Sequence, residues 1–348
     1  MQQLEASPKL PTISVIIAHT RPSINECLAS LAKQSYQHQL LEAIVIGEAS
    51  EQVQPALYDF PVRYIYCPTK NPSFRRNRAM RESTADIFAF IDDDAQASGD
   101  WCAQAVQKFL ANPQLSLQGG PTLLPPGLGV SHQLTYKIAH AGFFGNGHEN
   151  LSYASGRWRE IAGYITSCNL FIYPARLKNT IGFINELGHG GEDTLLLYEI
   201  SRNNSCDMLY NPDLPVYHSR GRYNCSYLWT RFKYRLNNGV MIWARPGIYL
   251  SNPKFSAGLA LGSLLVVLFL FHPILIIPAA AFHLALSFAY ALRYWADDWR
   301  LTVLFPGALL LQHAVYYLGI LAGLISILHP RQYKKIQLIR TRLRCAFS

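Results

Sequence analysis

From Ala257 to Ala291 the chain carries no Asp, Glu, Lys or Arg, and after a short polar break a second apolar stretch runs from Leu301 to Leu328. Helical residues advance about 1.5 Å each, and a bilayer core needs roughly 20 of them. Both stretches are long enough, so a wholly soluble fold would have to bury them as core helices that are apolar on every side. Pro273 and Pro278 divide the first stretch into two short helices or one kinked helix. The expected organisation is a soluble domain over residues 1–240, an interfacial linker over 241–256, two or three transmembrane helices over 257–328 and a basic cytoplasmic tail over 329–348.

The formal net charge of +9 would by itself admit a nucleic-acid partner. Its distribution argues otherwise. Arg231, Lys233, Arg235, Arg245 and Lys254 precede the apolar stretches, and Arg331, Lys334, Lys335, Arg340, Arg342 and Arg344 follow them. Basic flanks of this kind face the cytoplasm and its anionic lipid headgroups, and their presence on both outer sides favours an even number of crossings. Trp243, Tyr249, Tyr294, Trp295 and Trp299 read as interfacial anchors. Membrane lipids are therefore an expected partner and nucleic acid is not. The seven cysteines show no CxxC spacing and imply neither a zinc site nor a disulfide framework. Ile13 to Ala18 is too short an apolar run for an export signal, which leaves the soluble domain on the cytoplasmic face of the cytoplasmic membrane.

Upstream of the apolar tail, strand and helix signals alternate. Ile13 to Ala18, Leu41 to Ile46, Val62 to Tyr66 and Ile87 to Ile91 read as buried strands; Ile24 to Gln34, capped by Ser23, and a segment from Ser73 to Arg81 read as the helices between them. This rhythm predicts an α/β fold, Rossmann-like with a mostly parallel sheet. Such sheets bind ligands at the carboxyl ends of their strands, where His19, Glu48 and Asp92 would gather. Gly119 to Gly163, rich in glycine, proline and aromatics, reads as long loops.

The triplet Asp92, Asp93 and Asp94 closes one of these strands. Three adjacent carboxylates repel one another and call for a cation. Along an extended strand Asp92 and Asp94 face one side and Asp93 the other. A second acidic pair, Glu192 and Asp193, opens a helix, and His218 ends a short strand.

Ser14 to Ile17, Arg76 with Asn77, Phe90 to Asp94, Gly119 to Pro121, Asn169, Ile181 to Ile184, Gly191 to Thr194 and Val216 to His218 stand in an order that resembles family 2 glycosyltransferases. Residues 119 onward and the apolar tail look similar to the membrane-anchored exopolysaccharide branch, including succinoglycan glucosyltransferases. The resemblance implies a GT-A fold, a nucleotide-sugar donor, a divalent cation (Mn2+ or Mg2+) and inversion at the anomeric carbon. It further implies Asp94 and His218 as metal ligands, Asp193 as the base with Glu192 orienting the acceptor, and donor contacts from Thr20, Arg21, Glu48, Arg76, Asp92, Asp93 and Asn169. Asp92 is assigned to the ribose or a metal-bound water, and Asp93 is open to either role. Arg75, Arg78 and Arg81, beside Arg76, read as a solvated helix face. The chain lacks the Gln-x-x-Arg-Trp motif of processive members, so transfer of a single sugar to a lipid-linked glycan or polyprenyl acceptor is expected. Arg220 to Arg235 reads either as an interfacial helix offering cations to a lipid diphosphate or as a plain amphipathic linker.

Overall fold

The computed structural model describes residues 9–48, 57–141, 154–156, 165–178, 182–188, 190–203, 207–250 and 253–345. Ile181, which belongs to a sequence motif above, and part of the expected loop stretch up to Gly163 lie outside these residues. The chain forms two compact units. One comprises Met1–Leu123, Ser152–Phe183 and Glu199–His218, the other Leu124–Leu151, Ile184–Tyr198 and Ser219–Ser348.

The first unit is built on β1 (Ile13–Ala18), β2 (Leu41–Gly47), β3 (Val62–Tyr66), β4 (Ile87–Ile91), β5 (Ala95–Ala97), β6 (Leu115–Gly119), β7 (Thr122–Leu123), β8 (Ala154–Gly156), β9 (Asn169–Ile172), β10 (Asp207–Tyr210) and β11 (Val216–His218). The large sheet has the order β3-β2-β1-β4-β9-β6-β10-β8, and a small one has the order β5-β11-β7. β4 is buried at every residue and β1 at all but its last. Continuous apolar runs of this kind belong to strands covered on both faces. Their side chains share a core with α1 (Asn25–Leu31) and α3 (Trp101–Ala111), where Leu28, Trp101 and Phe109 are fully buried.

The β3-β2-β1-β4 half is parallel, as expected. Beyond it the sheet is mixed, because β9 runs antiparallel to both β4 and β6. Helix α2 (Pro72–Glu82) is capped not by Ser73, which is buried inside it, but by Asn71, whose Oδ1 accepts from the Phe74 N–H at 3.2 Å. Pro72 then occupies the first helical position, where its missing N–H costs nothing. Nor does Ser23 cap α1, since Ile24 holds the position before the helix without a side-chain bond.

In the second unit, the expected loop region contains α4 (Val130–His140). Leu134 and Ile138 on this helix pack with Leu301, Phe305 and Leu309. α5 (Glu192–Asn203) begins in this unit, and α6 (Cys225–Ala244) runs unbroken through residue 240, the expected domain boundary. The apolar tail forms α7 (Pro253–Phe271), α8 (Ile276–Ala291) and α9 (Trp299–Ile325). The chain breaks between α7 and α8 at Pro273, whereas Pro278 sits in the first turn of α8, where proline is tolerated. Two segments, Pro273–Tyr294 and Trp299–Leu328, are long and apolar enough to cross a membrane; Phe255–Phe271 is shorter. Phe271, Ile274 and Phe282 are each more than 70% exposed, a density of bare apolar side chains that water does not favour. The basic tail is itself helical, α10 (Pro330–Cys345), with Ile336, Ile339 and Leu343 buried and Arg342 paired with Glu186 at 2.6 Å.

α6 and α9 meet backbone to backbone. A Cβ on Gly323 would collide with the Leu236 carbonyl, and one on Gly239 with the Ile320 carbonyl and Gly323. Gly323→Val is therefore expected to cost about 1–3 kcal/mol or more through overpacking, read as a lower thermal midpoint of the detergent-purified protein. An unchanged midpoint would show that this crossing is looser than described.

Candidate functional site

The turn that follows β4 carries the acidic triplet, closed by the Ala95 N–H donating to the Asp92 carbonyl at 3.1 Å, and the three side chains part in it. Asp93 turns inward and is 5% exposed; its Oδ2 accepts from the backbone N–H of Thr20 at 2.5 Å and of Arg21 at 2.8 Å, and lies 3.1 Å from His19 Nδ1. A carboxylate bonded to two backbone amides fixes the loop after β1. This geometry supports a positioning role for Asp93, not the expected donor contact.

Asp92 and Asp94 remain on the more open side. Arg76 donates to Asp92 at 3.2 Å while its guanidinium lies 5.3 Å from the Phe183 ring centroid. The neighbouring Asn77 brackets the Phe183 backbone, donating to its carbonyl and accepting from its N–H, both at 2.7 Å. That explains the Arg76–Asn77 pair physically: one residue meets the acidic strand end and the other pins the segment against which it stacks. Asp94 sits between two cationic groups, Arg21 at 2.6 Å and His218 Nε2 at 3.1 Å. His218 arrives there by register, because β11 pairs antiparallel with β5 and sets it opposite Ala95, the residue after Asp94.

Burial alone would press His218 towards neutrality, but the hydrogen bond to Asp94 and the Cys168 thiol outweigh it and push the imidazole up to about 10. For Asp94 burial works against ionisation, yet the His218 bond and Arg21 hold its carboxyl below the usual range.

Several contributors carried no usable sequence signal. Cys168 brings its thiol within 4.8 Å of ligand atoms of Asp92 and His218. Cys168 is visible in sequence only as the neighbour of Asn169. Arg75, expected on a solvated face, is 1% exposed. It donates to the carbonyls of His19, Thr69 and Cys67, tying the ends of β1 and β3, and stands 3.7 Å from Glu48 after β2. Glu48 also lies 3.9 Å from Lys70. Asn169 is fully buried: Oδ1 accepts from the Trp101 indole at 2.9 Å, and the amide donates to the carbonyls of Pro121 and Leu214. Its amide is used within the protein, where it holds the loops beside β9.

The donor set fits a divalent cation. Carboxylate oxygens and an imidazole nitrogen suit Mn2+ or Mg2+, and Asp94, already facing two cationic groups, is an anion that a dication could share. Asp94 and His218 would hold it, His218 giving up its proton to offer a neutral ring nitrogen, with Asp92 and Cys168 grouped around His218.

Glu192 and Asp193 belong to the second unit. Glu192 is buried and accepts from the Gly190 N–H at 2.7 Å; Asp193 Oδ1 accepts from the Thr194 N–H at 2.7 Å. The loop before them needs glycine. Gly190 and Gly191 have φ of 93° and 92°, and a Cβ on either would strike Tyr234 or Met241 of α6. Asn237, also on α6, donates to the carbonyls of Leu187 and Gly190, so the helix start carrying both carboxylates is clamped from one side.

Residues 14–138 match the family model described as Glycosyl transferase family 2. The chain carries a family 2 glycosyltransferase domain. Over 100 residues it is 33% identical to the succinoglycan biosynthesis protein ExoM of Rhizobium meliloti, a match covering 26% of this chain and 32% of that protein. Over 107 residues it is 32% identical to the glucosyl-dolichyl phosphate glucuronosyltransferase of Haloferax volcanii, covering 30% of this chain and 34% of that protein. The chain thus spans about a third of the length of these relatives. A mannosyltransferase from Pyrobaculum calidifontis, solved in complex with GDP-Man and Mn2+, matches 89% of this chain and 88% of its own with a TM-score of 0.53 at 18% identity, a likeness of fold. The family 2 domain therefore has a GT-A-like sheet, followed by long apolar helices.

Proposed function

We propose that this chain is an inverting, membrane-anchored glycosyltransferase that moves one sugar from a nucleotide-sugar donor to a lipid-linked glycan on the cytoplasmic face, in exopolysaccharide or cell-surface glycan synthesis. The observation that carries the reading is Asp94 set between His218 and Arg21 at the carboxyl edge of the family 2 sheet. The names of two relatives point the same way, one to succinoglycan and one to a dolichyl phosphate-linked acceptor.

When bound, a divalent cation would supply Lewis-acid stabilisation of the charge on a departing diphosphate. Arg21 and Arg76 add fixed positive charge at the same strand ends, suited to an anionic donor. Asp93 and Arg75 hold the β1 loop that presents Thr20 and Arg21. Inversion requires a base to take the proton from the attacking hydroxyl, and Asp193 fills that role, with Glu192 fixing the loop before it. The exposed apolar segments Pro273–Tyr294 and Trp299–Leu328 would anchor the enzyme where a lipid acceptor resides.

Detergent-purified full-length protein, given a panel of nucleotide sugars with Mn2+ or Mg2+, is expected to release nucleoside diphosphate roughly tenfold or more faster than with EDTA, and faster again with a lipid-linked acceptor. Absence of both turnover and donor binding across the panel sinks the enzymatic reading. Turnover stimulated by bare polyprenyl phosphate, but not by a lipid-linked glycan, reassigns the acceptor.

A further inference from the structure

The second unit holds a group of arginines that the donor chemistry does not use. Arg231 stacks on two rings of α6, its guanidinium carbon 5.0 Å from the Tyr227 centroid and 4.8 Å from that of Tyr234. Arg235 lies 4.0 Å from the ring centroid of Tyr316 on α9. Arg220 acts on the same neighbourhood. Burial chiefly, and Tyr316 next, push the Tyr227 hydroxyl up to about 12, against an opposing pull from Arg231, Arg220 and Arg235. Among the described residues, no carboxylate forms an ion pair with any of these three arginines.

Two details turn a basic patch into a site. The Nε–H groups of Arg220 and Arg231 are shut off from solvent and meet no acceptor among the described residues. A buried charged donor without an acceptor is costly, and an anion placed among the three guanidinium groups removes that cost. Asn238, 8% exposed, in the orientation that satisfies both ends of its amide, accepts from Arg235 at 2.9 Å and donates to the Tyr249 hydroxyl at 3.0 Å. Tyr249 in turn lies in the field of Asp193. Arg235 is thus joined through Asn238 to Tyr249.

We infer that Arg220, Arg231 and Arg235 form an anion site for the phosphate of a polyprenyl phosphate-linked acceptor. This assignment rests on the proposed function. Two observations favour the acceptor's phosphate over the donor's. The arginines share a unit with the proposed base Asp193, whereas Asp94 and His218 belong to the other unit. Tyr316, which meets Arg235, is followed by Tyr317, which donates to Ser263 on apolar α7 at 2.8 Å and packs on Gly262. The helix that presents Tyr316 to Arg235 thus packs, one residue on, against apolar α7, an element that suits a prenyl chain.

The test uses full-length protein in nanodiscs with or without undecaprenyl phosphate, and soluble nucleoside diphosphate with Mn2+ as the second ligand. Arg231→Gln and the double variant Arg220→Gln/Arg231→Gln are expected to weaken lipid phosphate binding roughly tenfold or more, with Arg231→Lys recovering part of it. Nucleoside diphosphate affinity should stay within about twofold. Unchanged lipid affinity in both variants overturns the site. So does a loss of nucleoside diphosphate affinity with lipid affinity intact, which would hand the arginines to the donor. If the variants misfold, phenylglyoxal labelling of the unaltered protein decides: undecaprenyl phosphate should protect Arg220 and Arg231, and equal labelling refutes the assignment. Donor turnover without lipid phosphate binding removes this site alone, whereas absent donor turnover removes the function on which it rests.

Discussion

Asp193→Asn is expected to lower sugar transfer by about a thousandfold while donor affinity stays near that of the unaltered enzyme, since a general base contributes roughly 10²–10⁴ in rate. The substitution suits the question because it spares the local structure. Asp193 Oδ1 accepts from the Thr194 N–H at 2.7 Å, a bond that the asparagine oxygen can keep. What asparagine lacks is the capacity to take a proton. A carboxylate in the first turn of a helix is also favoured by the helix dipole, but that interaction is worth only about 0.3–1 kcal/mol and would appear as a small loss of stability at full turnover. Transfer rate and thermal midpoint, measured together, separate the two roles. Glu192→Gln offers the internal comparison: it keeps an oxygen for the Gly190 N–H and should leave most activity in place. Full turnover by Asp193→Asn would assign the base elsewhere.

The parts of this fold that were legible in the sequence are those set by short-range chemistry. Apolar runs marked β1, β2 and β4 within a residue, because a strand buried on both faces has little freedom in composition, whereas β3, expected to be buried, is the edge strand with only Val62 buried. Apolar length marked the tail, and Pro273 marked its break. Features that depend on partners distant in sequence were not legible. The direction of β9 is decided by pairing with β4 and β6. Helix α4 was hidden because its buried positions, such as Leu134 and Ile138, find their apolar partners more than 150 residues downstream at Leu301 to Leu309. α10 was hidden likewise, its few apolar residues lying among basic ones.

The same division runs through the site. Motif residues could be placed in order, but which of them face a ligand depends on contacts that spacing does not encode. Asp93 and Asn169 match the family pattern and are turned inward to hold backbone. Arg75 and Cys168 match no motif, yet one ties strand ends together and the other stands at the acidic cluster. Arg75 shows why charge alone misleads. Three backbone carbonyls at the carboxyl ends of strands satisfy its guanidinium, so a residue expected in water is among the largest fully buried side chains.

Asp94→Asn should act on the other substrate. It removes the carboxylate that faces both Arg21 at 2.6 Å and His218 at 3.1 Å, so it leaves these two cationic groups beside a neutral amide, with Asp92 as the remaining nearby carboxylate. That arrangement repels a further cation. Loss of a direct carboxylate ligand should weaken metal-dependent donor binding by roughly 10- to 100-fold or more, since even supporting residues around a metal contribute that much. The decisive measurement is a Mn2+ titration of nucleoside diphosphate binding, run on the unaltered protein, on Asp94→Asn and on Asp93→Asn. If Asp94 is the ligand, its variant needs far more Mn2+ to reach the same donor affinity. Asp93→Asn should instead lower the thermal midpoint, because its carboxylate fixes the Thr20 and Arg21 amides, while the Mn2+ requirement of the folded fraction changes little. An Asp94→Asn protein with unaltered Mn2+ dependence would exclude that residue as a ligand and pass the role to Asp92, which lies with His218 and Cys168 in the same cluster. The two outcomes differ because the turn after β4 sends Asp93 into the protein and Asp94 towards His218, and a charge removed from one side cannot stand in for the other.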